Sequence, residues 1–280
     1  MRLLLITCLV ACGSSKPEAE PTAVVVPKAV PAADGVSPGI ELPEIASTGF
    51  DRADRAMPQI SASPTALTVK GRHVVALSDG NVAAADLYGG ALGMIIPKLR
   101  ELTSDFGAAG VVLQLDRRTP FTTLLQIMST LQAGRLIAVS ILARSGAHTM
   151  SAPIALPPNG QASAWVRHTV PPDGAPSSHV QPAIALSRSE LRLFSISGTA
   201  GTLAKPALVM KTNPGIDLVQ LGRMLAELRT QHPDPADQTM IVVADGTLPI
   251  QVVLEVIAAV RATPEGKALY PDIVLSSGIQ

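Results

Sequence analysis

Beyond residue 45, short apolar runs alternate with stretches that carry apolar residues at helical spacing, and one such alternation occurs twice. Val112-Leu113-Gln114-Leu115 and Ile241-Val242-Val243-Ala244 are apolar runs of strand length. Each leads into an aspartate followed four residues later by proline, in Asp116-Arg117-Arg118-Thr119-Pro120 and Asp245-Gly246-Thr247-Leu248-Pro249. Proline suits the first turn of a helix, where its missing N–H costs nothing. The expected helices follow: Leu124, Ile127, Met128 and Leu131 in one copy fall on Val253, Val256, Ile257 and Val260 in the other, at a constant offset of 129 residues. An earlier helix keeps that offset, with Leu92, Ile96 and Leu99 against Leu221, Leu225 and Leu228. The repeat therefore spans two helices and the strand between them.

Each copy is also expected to close and open with strands. Residues 136–142 close the first, and residues 272–276 close the second after an insertion around 264–271. Residues 60–69 and 74–77 open the first copy and 183–196 the second, where Leu191 and Leu193 alternate as a half-buried strand requires. A further strand is expected within 203–210. The fold class is α+β, built from two tandem small modules of order strand-strand-helix-strand-helix-strand. They are placed at 46–145 and 183–280, with a linking loop over 146–182 containing Trp165, His168 and His179.

The start of the chain has a different character. Arg2 precedes an apolar run, residues 3–11, that ends in Leu9-Val10-Ala11-Cys12. The run is shorter than the about 20 residues that span a bilayer, so it is read as an export signal over residues 1–11. Its ending resembles a bacterial lipobox, in which Cys12 would carry the lipid and become the first mature residue; an ordinary secretory signal is the alternative. Cys8 would leave with the signal, and no thiol would remain for disulfides, metal ligation or nucleophilic catalysis. Residues 12–45, with Pro17, Pro21, Pro27, Pro31, Pro38 and Pro43, are expected to form an extended tether. Within it, Ile40-Glu41-Leu42-Pro43 is echoed by Ile154-Ala155-Leu156-Pro157. Such a segment is either a plain edge strand or a strand that docks on a partner's sheet, with Leu42, Pro43, Leu156 and Pro157 as candidate contacts.

The ordered elements resemble the periplasmic domain of the ExbD/TolR biopolymer-transport proteins. The resemblance rests on Ile40 to Pro43, Val111 to Asp116, Pro120 and Leu124 to Leu131, and on Ile154 to Pro157, Ile241 to Asp245, Pro249 and Val253 to Val260 in the second copy. It implies contact with transport-motor proteins, binding to peptidoglycan, and pairing of such domains, here of two modules within one chain. The family's single transmembrane helix with its embedded aspartate has no counterpart between residues 1 and 40, so proton conduction is not expected. Gly13 after the acylated cysteine favours the outer membrane, facing the periplasm.

Composition narrows the chemistry. Aromatic residues are 2% of the chain and formal net charge is zero, which leaves few base-stacking platforms and no basic field for nucleic acid. The five histidines, at 73, 148, 168, 179 and 232, show no metal-ligand spacing, and neither a nucleophile elbow nor a phosphate loop is present. No enzyme activity, metal or cofactor is expected; a cell-wall-acting enzyme with a dispersed site and a purely architectural spacer are the rivals. Asp116 and Asp245, at strand ends before helices, either serve a site or fix their turns. Arg117 and Arg118 either meet peptidoglycan carboxylates or form an exposed basic turn.

Overall fold

A computed structural model describes residues 35–46, 49–52, 57–106, 110–136, 138–155, 180–213, 215–233 and 238–276. Cys8, Cys12, Leu156, Pro157, Trp165, His168 and His179 lie outside the described residues. The architecture is α+β with two mixed sheets, one per copy.

The first copy contains β1 (Asp51–Arg52), β2 (Gln59–Ala62), β3 (Ala66–Val69), β4 (Arg72–Ser78), β5 (Asn81–Val82), α1 (Pro97–Thr103), β6 (Val111–Leu115), α2 (Phe121–Ala133), β7 (Val139–Ser145) and β8 (His148–Ile154). The second contains β9 (Pro182–Leu186), β10 (Glu190–Ser195), β11 (Leu208–Lys211), α3 (Leu218–Gln231), β12 (Thr239–Ala244), α4 (Ile250–Arg261) and β13 (Asp272–Ser276). Their sheets run β1-β8-β7-β6-β2-β3-β4-β5 and β11-β10-β9-β12-β13. The shared unit is thus β7-β6-β2-β3-β4, matched by β13-β12-β9-β10-β11. Its registers agree: Ile60 lies opposite Leu113, as Ile184 lies opposite Val242.

Three expectations are corrected. Each copy opens with three strands rather than two, because the run 60–69 folds back on itself at Ser63-Pro64-Thr65 and 183–196 does so at Ser187-Arg188-Ser189. In both turns the first serine hydroxyl accepts the N–H groups two and three residues on, closing the same tight turn. Residues 148–154, expected in the linker, form β8 along the whole length of β7. Finally, Leu92 is not in an α-helix: it ends a single 3-10 turn, Gly90–Leu92, α1 begins only at Pro97, and Leu92 is 94% exposed whereas Leu221 is fully buried in α3. Gly89 and Gly90 have positive φ, and a side chain at Gly93 would meet the Tyr88 carbonyl oxygen at 2.4 Å, so this glycine-rich stretch is a loop where the second copy has two helical turns.

Part of the expected tether also belongs to the fold. Residues 35–45 form a strap across the face of the first sheet opposite its helices, where Val36 and Leu42 pack with Val112 and Leu142. Gln114 fastens it, donating to the Gly35 carbonyl and accepting from the Ser37 N–H, both at 2.8 Å. Pro43 is buried, and its carbonyl accepts from the Arg144 N–H. Leu42 and Pro43 are therefore committed within the chain. On the helix face the main apolar cluster runs without a break from Ile60 and Leu113 to Ile184 and Val242, joining both copies in one core. Ala155, just past β8, pairs with Val274 of β13 and links the sheets at their edges.

Candidate functional site

The duplicated Asp-to-Pro turns face one another. Phe121 N–H donates to the Leu248 carbonyl and Ile250 N–H to the Thr119 carbonyl, both at 2.8 Å. Thr122 N–H donates to the Gly246 carbonyl at 2.9 Å, and Gln251 N–H to the Arg117 carbonyl at 3.1 Å. Every bond maps onto its mate at the offset of 129, which is the signature of a two-fold, self-complementary contact. The physical cause is local. Both helices start after a proline that offers no side-chain cap, so the first N–H groups need acceptors from elsewhere. Each turn supplies carbonyls to the helix of the other copy. At the centre Pro120 and Pro249 form an antiparallel bridge, and the approach is so close that a Cβ on Gly246 would fall 2.0 Å from Thr122 Oγ1.

Beside this junction stands Asp116, with its side chain fully buried. Its carboxylate accepts from Arg118 N–H at 3.0 Å, Arg118 Nε at 2.9 Å, Arg118 Nη2 at 3.3 Å and Glu41 N–H of the strap at 3.1 Å. Burial opposes ionisation, yet the Arg118 guanidinium and the donated N–H groups outweigh it and hold the carboxyl below its ordinary value. The carboxylate is therefore a saturated acceptor that pins the turn and the strap, and it is unsuited to proton transfer. Arg117 pairs with Glu41 at 3.1 Å on the surface, while the Arg118 side chain remains 63% exposed.

Asp245 is built differently. It is exposed and accepts from Thr247 N–H at 2.9 Å and Thr247 Oγ1 at 2.7 Å, bonds that lower its pKa. Arg188, at the hairpin position that Pro64 occupies in the first copy, donates to Thr247 Oγ1 at 2.9 Å. Each aspartate thus has an arginine nearby, but it comes from the turn in the first copy and from the hairpin in the second.

Next to Asp116 a cleft of about 90 Å³ is lined by Pro64, Asp79, Gly80, Asp116, Arg118 and Thr119. It is far smaller than the roughly 300–1,000 Å³ of sites that engulf a small molecule, and it suits one end group. Thr119, 1% exposed, carries a buried hydroxyl with no hydrogen-bond partner. Asp79 and Gly80 enter because they form the two-residue loop between β4 and β5, with φ of 48° and 79° as a type I′ turn demands. Sequence reasoning passed over Thr119, Asp79 and Pro64. The Asp79-Gly80 dipeptide was an available signal for Asp79 alone.

Among the described residues no group of three or more His, Cys, Asp or Glu is placed to hold a metal, and no helix is long and apolar enough to cross a membrane. No family model matches the chain, and no curated protein sequence matches it either.

Proposed function

We propose that this chain is a non-catalytic scaffold of the bacterial cell envelope, lipid-anchored through Cys12 and related to the ExbD/TolR periplasmic domains, with peptidoglycan as its ligand. In this reading the two modules do in one polypeptide what the family does with a domain pair. The observation that carries the ligand assignment is the cleft at Asp116. There Arg118, whose side chain is 63% exposed, lines the cleft together with Asp79, a cation suited to a carboxylate and an acid suited to an amine. Stem peptides of the wall carry both groups. The non-catalytic reading is supported at Asp116, whose carboxylate accepts four hydrogen bonds and is held below its ordinary value, a poor general base or acid.

The test is co-sedimentation of the protein with insoluble peptidoglycan. Saturable, salt-sensitive binding is expected, weakened by Arg118→Gln and by Asp79→Asn, with no release of soluble wall fragments. Lack of binding at low salt contradicts the wall assignment and leaves a transport-motor protein as the partner to seek. Release of fragments contradicts the non-catalytic assignment.

A further inference from the structure

The most exposed large apolar side chains among the described residues are Leu92, at 94%, and Tyr88, at 77%. They stand on the loop that leads from β5 into α1, and the second copy shows how unusual this is. The residue matched to Leu92 is Leu221, fully buried on the core face of α3. In the first copy the corresponding α-helical turns are replaced by a 3-10 turn, Gly90–Leu92, and the leucine is exposed to solvent instead.

The loop holds its shape. Tyr88 and Ile95 pair across its base, with Tyr88 N–H donating to the Ile95 carbonyl at 2.8 Å, and Gly93 N–H donates to the Gly90 carbonyl at 2.8 Å. Leu87 is buried and anchors one side, while Gly93 is required by the contact described above. Ala83, Ala84, Ala85 and Ala91 are exposed around the tip. No charged residue occurs between Asp86 and Lys98, after which Lys98 and Arg100 are exposed on α1.

We infer that this loop is a shallow membrane-contact element, with Leu92 entering the acyl region of a lipid monolayer and Tyr88 lying at the headgroup level. Two observations select lipid over protein. A tyrosine buries about 150–250 Å² at most, so these two side chains fall well short of the roughly 800 Å² that each partner contributes to a stable protein interface. A second copy of the chain is therefore a poor occupant. Shallow insertion needs less area and favours an amphipathic aromatic at the interface, while the flanking charges Asp86, Lys98, Arg100 and Glu101 balance, so the contact rests on the apolar tip itself. A contact of this size is weak and reversible alone and becomes effective beside a second membrane signal. The inference takes from the envelope reading only that a lipid surface is near.

The experiment is flotation with vesicles of phosphatidylethanolamine and phosphatidylglycerol, using full-length protein carrying Cys12→Ser so that no acyl chain contributes. Weak binding is expected, reduced at least about tenfold by Leu92→Asp, reduced less by Tyr88→Ser, and unchanged by Val209→Asp at another exposed apolar position. Unchanged thermal melting of the Leu92 variant shows that its fold is intact. Absence of vesicle binding at high lipid, or binding indifferent to Leu92→Asp, overturns the inference, as does Leu92-dependent dimerisation without vesicle binding. Mass spectrometry of the unaltered protein reports the acyl group on Cys12 separately, so failure of the anchor reading is distinguishable from failure of the loop.

Discussion

The two copies share five strands, two helices and an Asp-to-Pro turn, and they differ in how each covers its surfaces. In the first copy the face opposite the helices carries Gln114 and Ser61, which hydrogen-bond a strap of the chain's own residues. At the matching positions the second copy has Val243 and Ala185, which can pack but cannot clasp. The first copy has also replaced the opening turns of a helix with an ordered, apolar, exposed loop. Duplication has left the strand-turn-helix core intact at the junction, where a change in one copy has to suit the other. Divergence has gone to the sheet faces and connections, where binding residues most often lie.

The sharpest way to break this comparison is to truncate the matched leucines. Leu221→Ala is expected to destabilise by about 2–5 kcal/mol, as for a fully buried leucine, and Leu92→Ala by no more than about 0.5 kcal/mol. Denaturant unfolding measures both, and similar losses would refute the non-equivalence of these positions. Next in size is Gly246→Ala, which forces Thr122 to move and is expected to cost about 1–3 kcal/mol. Thr122→Ala removes the clashing oxygen, so the double variant should recover most of that loss in a thermodynamic cycle.

Asp116→Asn comes third, at about 1–3 kcal/mol for a buried acceptor that loses its charge-assisted partners, against at most about 0.5 kcal/mol for the exposed Asp245→Asn. Its pH dependence has a definite sign. The folded carboxyl titrates below its unfolded value of about 3.9, so its contribution is complete above that pH and disappears as the pH falls through the folded value. Acid titration of stability should show a smaller loss in Asp116→Asn than in the unaltered chain. The smallest effect belongs to Arg117→Gln, whose pair with Glu41 is largely exposed, at no more than about 1 kcal/mol by thermal melting.

The strand-turn-helix units were legible because one offset relates Val111 to Met240, Pro120 to Pro249 and Leu131 to Val260 without a gap. The opening hairpins escaped because their offset is different: Ile60 corresponds to Ile184, five residues out of step with the rest. The strap was hidden by its composition, since Val36, Ile40 and Leu42 stand among prolines and glycines, and the side chains that fasten it include Gln114 and Asp116, 77 and 75 residues beyond their partners Ser37 and Glu41. Leu92 satisfied helical spacing and still left the core, because Gly89, Gly90 and Gly93 set the local backbone and spacing alone cannot register that. At the candidate site Asp116 and Arg118 were visible as a pair two residues apart. Thr119 was not, because an unpartnered hydroxyl is a property of packing.

Native-state hydrogen exchange of the Phe121, Thr122, Ile250 and Gln251 amides tests the central claim, that two helices cap each other across the paired turns. All four amides should be strongly protected, although they open their helices, and Gly246→Ala should lower the protection of all four together. Rapid exchange typical of frayed helix starts, or loss confined to the pair within one copy, would contradict the reciprocal junction.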